Sequence, residues 1–557
     1  MKKWILLFLL FFSPALVWGF YHSSAIYYFL RAIDKAVKGN YDEAIADLEQ
    51  AIKFDPSSSQ LREELGSFYL RKGDLKRAEF HLKEALRINP RNRNALIILG
   101  GLYSSQGNLE GAKKMYEKCA EFFENDTECY IHLGSVMLLQ GAFGDAQKIY
   151  EKILSYDPEN IIALYYLGRI RAELKDYKAA KEYFIRLLEI KPNFEIGLFD
   201  LATVYEIEGE LAKAKETYQK ILTINPLNRA VRARIANIYV REKNYEKAIS
   251  EFEKLSEIDR KDLSFRVKIG LLYMEMGRYD EAIREFNLFL GSDPNNGTVR
   301  LYLSQALREK GLYKNAIEEL LKVPLDSEEF PTALRHLTFL YIKANMVDEG
   351  IKRLKEFFPR LKNKPDVYLM LSWLYEEKED YEVGIEILKE AEKLDERNIE
   401  VLYGLGMLYE RSGRTEEALK YMERILSIDP EHADALNFIG YTFADRNVNL
   451  EQAEEMIKKA LKKKPNAGYI IDSLGWVYYR QGRLEEALEQ LLKAYELLPD
   501  DPTVLEHLGD VYMALGNLER AIEYFEKSLR LEKRLEKKRD LEKKLKELKE
   551  RLERKNQ

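Results

Sequence analysis

Side chains without bulk return in this chain at one fixed interval, and that phase restricts the fold more than any other feature. With Ala25 as the start of a unit, steps of 34 residues lead after twelve steps to Ala433. One extra residue falls around Arg446 to Leu450, and the steps resume at Gly468 and Pro502, which makes fifteen units. Their eighth positions are Ala32, Gly66, Gly100, Gly134, Gly168, Ala202, Ala236, Gly270, Ser304, Thr338, Ser372, Gly406, Gly440, Gly475 and Gly509, all of them small. Their twentieth positions are Ala, from Ala44 and Ala78 to Ala521, except for Gly350 and Gly384.

The stretch Gly468 to Asp501 displays the unit most fully. Leu474, Gly475 and Tyr478 share one face at helical spacing; after Gly482 in a turn, Ala487, Leu491 and Ala494 do the same, and Pro499 stops the second helix. The small residues at 475, 487 and 494 let two helices approach closely. The unit is a helical hairpin, and a hairpin that cannot bury both faces alone needs a neighbour on each side.

This spacing of small, aromatic, Gly, Ala and Pro positions resembles the tetratricopeptide repeat (TPR) family over residues 25 to 530. The resemblance implies an all-α fold, an α-solenoid wound as a right-handed superhelix of about fifteen hairpins with a C-terminal capping helix. It also implies that the first helices line a concave groove that binds peptides or proteins. The segment from 433 to 520, with ALNFIGYTFADR, YIIDSLGWVYYRQGRLEEAL and HLGDVYMALG, is similar to the C-terminal repeats of bacterial envelope proteins of this class, including an adaptor for a carboxyl-terminal processing protease. Members of that group are lipid-anchored, and no cysteine follows the N-terminal apolar run here to carry a lipid.

Residues 1–19 read as a secretory signal: Lys2 and Lys3, nine apolar residues from Trp4 to Phe12, then Val17 and Gly19 before a cut. The alternative is an uncleaved inner-membrane anchor, since the apolar stretch to Phe20 is about 17 residues, the lower limit for spanning. Cleavage and a periplasmic location are expected. Charged residues make up 33% of the chain in an interspersed pattern with a net charge of −6, which argues against a nucleic-acid partner.

From 25 to 330 the units form an N-terminal array with helix stops at Pro56, Pro90, Pro158, Pro192, Pro226 and Pro294. Bulky Ile153, Leu187, Phe289 and Phe357 stand at the twenty-seventh position, unlike the family pattern. Between 297 and 396 the pattern weakens, with Gly350 and Gly384 and with Pro324, Pro331, Pro359 and Pro365 at unusual phases, and 331–398 is set apart as irregular units; a hinge or simple drift among repeats would each account for it. The array tightens again from 399 to 530. Residues 531–557 form a charged tail, in which Leu531 and Leu535 are expected to cap the last hairpin. Leu541, Leu545, Leu548 and Leu552 there make a thin seam, read as a solvated helix or a short coiled coil, and its positive charge suits an anionic membrane surface.

No catalytic constellation emerges. His22, His81, His132, His336, His432 and His507 are too scattered to form a metal site, although His132, His336 and His507 share the sixth repeat position. No phosphate loop, nucleophile elbow or HExxH is present. An enzyme is not expected, nor a metal or cofactor. Cys119 and Cys129 lie on consecutive packed helices, which in an exported protein leaves open either a disulfide or two small buried residues.

Groove-lining positions are the second, fifth, ninth and twelfth of each unit. Over the last third they hold Phe339, Trp373, Tyr403, Met407, Tyr441, Tyr469, Trp476 and Tyr479, with Asp366, Glu376, Glu400, Glu410, Asp434, Asp472, Glu506 and Asp510 beside them. Aromatic anchors among carboxylates suit a peptide with apolar and basic side chains, though any one ring can instead pack on its neighbouring hairpin. The expected function is a non-enzymatic scaffold or adaptor binding a partner protein through residues 366 to 513. An envelope protease or export-machine subunit is the partner class in view. The alternative is a structural component of a secretion, pilus or polysaccharide-export machine.

Overall fold

The computed structural model describes residues 23–556; the signal segment expected at 1–19, and His22, lie outside them. All regular structure among the described residues is helical, in fifteen consecutive hairpins followed by one long C-terminal helix, so the fold is an α-solenoid. None of these helices is long and apolar enough to cross a membrane. The chain divides into two compact units between Phe265 and Arg266.

The small residues at the eighth position sit where the phase requires them. A Cβ added at Gly168 would stand 2.6 Å from the Phe184 ring, at Gly100 2.6 Å from the Tyr116 ring, and at Gly475 2.7 Å from Leu491 Cγ. In each case the large side chain is the twenty-fourth residue of the same unit, laid across the helix crossing. Ala487, Leu491 and Ala494 are wholly buried there. Interiors this dense respond to one added methyl group with strain of roughly 1–3 kcal/mol. The two exceptions at the twentieth position follow the same logic, since a Cβ at Gly350 would meet the Tyr341 ring at 2.8 Å and one at Gly384 would meet Leu408 at 3.1 Å.

Local chemistry sets the helix ends. Asn92, Asp126, Asn160, Asn228, Asn398 and Asp501 each precede a first helix and accept a backbone N–H of its first turn. Second helices end at Phe54, Ile88, Tyr156, Ile190, Ile224, Ile428, Lys463 and Leu497, each two residues before a proline. The extra residue of the 433 unit is absorbed in the turn between its helices, where Asn447 (φ 57°) and Asn449 (φ 50°) both take the left-handed conformation that asparagine tolerates.

In the first unit, Cys119 and Cys129 are joined as a disulfide with Cα atoms 5.6 Å apart, within the reach of such a bridge. Ile153 and Leu187 are wholly buried.

The irregular segment belongs to the second unit. Its second helix Tyr313–Leu320 has only 8 residues. Pro331 and Pro365 occupy first turns of helices, where no N–H is needed, and Pro359 lies inside Val347–Leu361. Helix Phe330–Lys343 packs more closely on Pro365–Glu377 than on its own hairpin partner Val347–Leu361.

The tail departs from expectation. Leu531 and Leu535 do not cap the last hairpin; they are 39% and 73% exposed, because the helix breaks at 532–534 and the apolar phase restarts. The cap is made instead by Leu541, Leu545 and Leu548 of helix Leu535–Asn556, all buried in the cluster that holds Leu508 and Phe525. The seam is therefore neither solvated nor free to form a coiled coil.

Candidate functional site

Within the second unit, the first helices Phe330–Lys343, Pro365–Glu377 and Ile399–Arg411 and the start of Ala433–Asp445 enclose a cleft of about 370 Å³. Trp373, Tyr403 and Met407 line it together with Glu376, Glu400 and Asp434, so six residues expected in the groove come together. Trp373 is 42% exposed, a large apolar surface left in water. Arg335, His432 and Gly404 also line the cleft and were not foreseen.

Gly404 matters by what it lacks. It is the sixth residue of its unit, facing the previous hairpin. It lines the cleft together with Trp373, and a Cβ there would meet Leu388 Cδ1 at 2.9 Å and Leu369 Cδ2 at 3.5 Å.

The carboxylates are tuned differently. Asp434 accepts from Lys464 Nζ at 2.8 and 2.9 Å and from the Tyr469 hydroxyl at 2.5 Å. Burial raises its pKa, but these donors outweigh burial and hold it below the usual value. Glu376 is raised by burial, with Arg411 at 3.6 Å only partly offsetting it. Tyr403, with the His432 ring 6.2 Å away, is pushed up to about 12 by burial and by Asp434. Further along the same face, Glu410 Oε2 and Asn437 Oδ1 are buried acceptors without a hydrogen-bond partner.

The remaining expected residues do not join this cleft. Phe339 is 44% exposed, with the Lys343 ammonium 5.6 Å from its ring, and Tyr469 is 43% exposed at the Asp434 end. Tyr441, Asp472, Trp476 and Tyr479 form a second cluster that is filled from within. Trp476, expected as a groove anchor, is 7% exposed: His507 stacks on it at 4.1 Å and Tyr479 at 4.9 Å. Asp472, expected to face a ligand, instead binds His507 Nδ1 through both oxygens at 3.0 Å. Burial opposes the charged imidazole, but Asp472, Asp510 and Glu506 override it and raise the His507 pKa. Tyr441 is raised by burial. Glu506 and Asp510 are engaged by tail lysines, with Lys544 Nζ at 3.0 Å from Glu506 and 3.1 Å from Asp510, and Lys537 at 3.3 Å from Glu506.

The first unit has a cleft of its own, about 530 Å³, lined by Leu138, Leu139, Phe143, Tyr166 and Arg169. Leu139 in it is 66% exposed. Among the described residues no cluster of three or more His, Cys, Asp or Glu side chains is placed to hold a metal ion.

Profiles described as tetratricopeptide repeat or TPR repeat match residues 29–92, 69–130, 137–197, 207–266, 267–332, 375–441, 475–516 and 502–535. A TPR repeat-containing protein of Pseudomonas aeruginosa is 51% identical over 51 residues, which is 9% of this chain and 9% of that protein. Among solved structures, a tetratricopeptide repeat protein of Parabacteroides merdae is 20% identical, with 45% of this chain and 99% of that chain covered, at a TM-score of 0.35. Pseudomonas aeruginosa PilF is 18% identical, with 36% and 92% covered and a TM-score of 0.32. Yeast Tom70 is 15% identical, with 89% and 96% covered and a TM-score of 0.31. These superpositions all score below 0.5, so the assignment rests on the repeats themselves. The phase of small residues, the hairpins built on it and the profiles that match along most of the chain agree: this protein belongs to the tetratricopeptide repeat family, whose fold serves as a scaffold for protein–protein interaction.

Proposed function

We propose that this protein is an exported docking scaffold that holds a partner protein at the Trp373 cleft. The observation that carries the reading is the cleft itself, where an exposed tryptophan, Tyr403 and Met407 are gathered among Glu376, Glu400 and Asp434. A half-open aromatic wall with carboxylates at its rim matches a segment that presents one apolar side chain to the cleft and basic side chains to the rim. The mechanism is docking and positioning. The partner class we propose is an envelope protein, either a processing protease or a subunit of an export machine.

The test is recovery of partner from an envelope extract by the wild type, by Trp373→Ala/Met407→Ala and by a control, Phe80→Ala, whose ring is exposed in the first unit. Loss of a central aromatic anchor costs at least about 2 kcal/mol, or roughly 30-fold in affinity. Recovery should therefore collapse in the double variant and persist in the control; equal recovery would refute the cleft assignment. Export is tested separately by the mass of the chain recovered from the periplasm. A chain beginning at Phe20 fits a cleaved signal, an intact chain in the inner membrane fits an anchor, and an intact cytoplasmic chain contradicts export.

A further inference from the structure

The charged tail is not spare. Helix Leu535–Asn556 lays Leu541, Leu545 and Leu548 into the apolar cluster of the last repeat. On its adjacent face Lys537 and Lys544, seven residues and two helical turns apart, reach Glu506 and Asp510. Those two carboxylates are the fifth and ninth residues of the 502 unit, the positions that Tyr403 and Met407 hold in the 399 unit. At the last repeat, then, an amphipathic basic helix already sits on the kind of surface that the 399 unit leaves open as a cleft.

We propose that this helix is an exchangeable occupant, and that a partner docks on the last repeat by presenting an amphipathic helix of the same pattern in its place: leucines at four- and three-residue spacing, with lysines two turns apart on the neighbouring face. Three features of the contact support exchange. The tail is joined to the last hairpin through a non-helical break at 532–534, so it can leave without unwinding helix Leu518–Leu531. Its lysine side chains remain 36–42% exposed, although the carboxylates they meet are 9–13% exposed, so water and salt reach the pairs from the lysine side. The receiving wall belongs to the preceding hairpin, which also packs on its own neighbour on the other side. Burial opposes the charge of Lys544, yet Asp510 and Glu506 raise its pKa, so the wall selects a cation at that point. This inference stands on the tail contacts alone and holds whether or not the Trp373 cleft binds a partner.

The test uses the full chain and a fluorescein-labelled synthetic peptide of residues 533–557 as the probe. In the wild type the internal helix competes with the peptide; in Lys537→Glu/Lys544→Glu the internal helix is repelled and the wall is free. The variant should bind the peptide at least tenfold more tightly than the wild type, and adding Glu506→Gln/Asp510→Asn should abolish that gain. Equal binding by wild type and a folded variant overturns the proposal. A second measurement needs no substitution: hydrogen exchange at 535–556 in the wild type should quicken at least tenfold between 0.05 and 0.5 M NaCl while 468–531 keeps its protection. A tail whose protection does not respond to salt overturns the proposal as well.

Discussion

Trp373 and Trp476 are each the ninth residue of a repeat, on the same face of equivalent first helices, yet one is 42% exposed and the other 7%. The difference comes from the next hairpin. Its sixth residue is Gly404 after Trp373 and His507 after Trp476. Glycine leaves a cleft of about 370 Å³ beside the first ring, whereas the imidazole lies flat on the second at 4.1 Å, held by Asp472. In a repeat array, a side chain's role is set as much by the neighbouring unit as by its own, because each hairpin is completed by the next.

The comparison can be broken at several points. Trp476→Ala removes a core ring and should cost about 3–5 kcal/mol, seen as lost hydrogen-exchange protection across 433–531; Trp373→Ala, at a ring that is 42% exposed, should cost distinctly less, about 1–2 kcal/mol of stability. Equal losses would mean that the two rings are equivalent after all. For binding the order reverses: Trp373→Ala should weaken partner affinity by roughly 30-fold, measured by titration once the partner is in hand. Gly404→His sharpens the same contrast by rebuilding the His507 arrangement at the open cleft. An added Cβ at 404 meets Cδ1 of the wholly buried Leu388 at 2.9 Å and Leu369 Cδ2 at 3.5 Å, which costs about 1–3 kcal/mol of strain; in a variant shown by its melting curve to stay folded, partner affinity should fall about tenfold.

The smallest expected effect is on pH dependence. The fold raises the His507 pKa, so the folded state holds the proton more tightly than the unfolded chain. Its contribution is full below the unfolded histidine value of about 6.5 and is lost as pH rises through the folded value. The gap in melting temperature between wild type and His507→Gln should therefore narrow by about a degree or two from pH 6 to pH 9. A widening gap would show that the imidazole is neutral in the fold.

Much of this architecture was legible in the residues, because steric rules at a helix crossing act locally and repeat. Gly66, Gly100 and Gly475 are small for one reason, a large twenty-fourth residue lying over them. The candidate site was legible only in part. Trp373, Tyr403 and Met407 fell where repeat position put them, but position alone could not separate Trp373 from Trp476. Reading the sixth residue of the following unit would have done so, since Gly404 and His507 are plain in the sequence. The tail was misjudged for another reason. Lys544 meets Asp510 across 34 residues and a helix break, and no local periodicity reports a contact of that kind. Leu531 and Leu535 continued the apolar rhythm on paper, while the break at 532–534 turned the helix so that Leu541, Leu545 and Leu548 took the buried side.

The most direct measurement is site-specific photocrosslinking in cells, with benzoylphenylalanine placed at 373 and, for comparison, at Glu386 on the exposed face of helix Tyr381–Leu394. A docking cleft predicts one discrete crosslinked species from 373 that is missing from 386 and disappears when Gly404→His is added. Crosslinks of equal yield from both positions, or a species from 373 that survives Gly404→His, would contradict it.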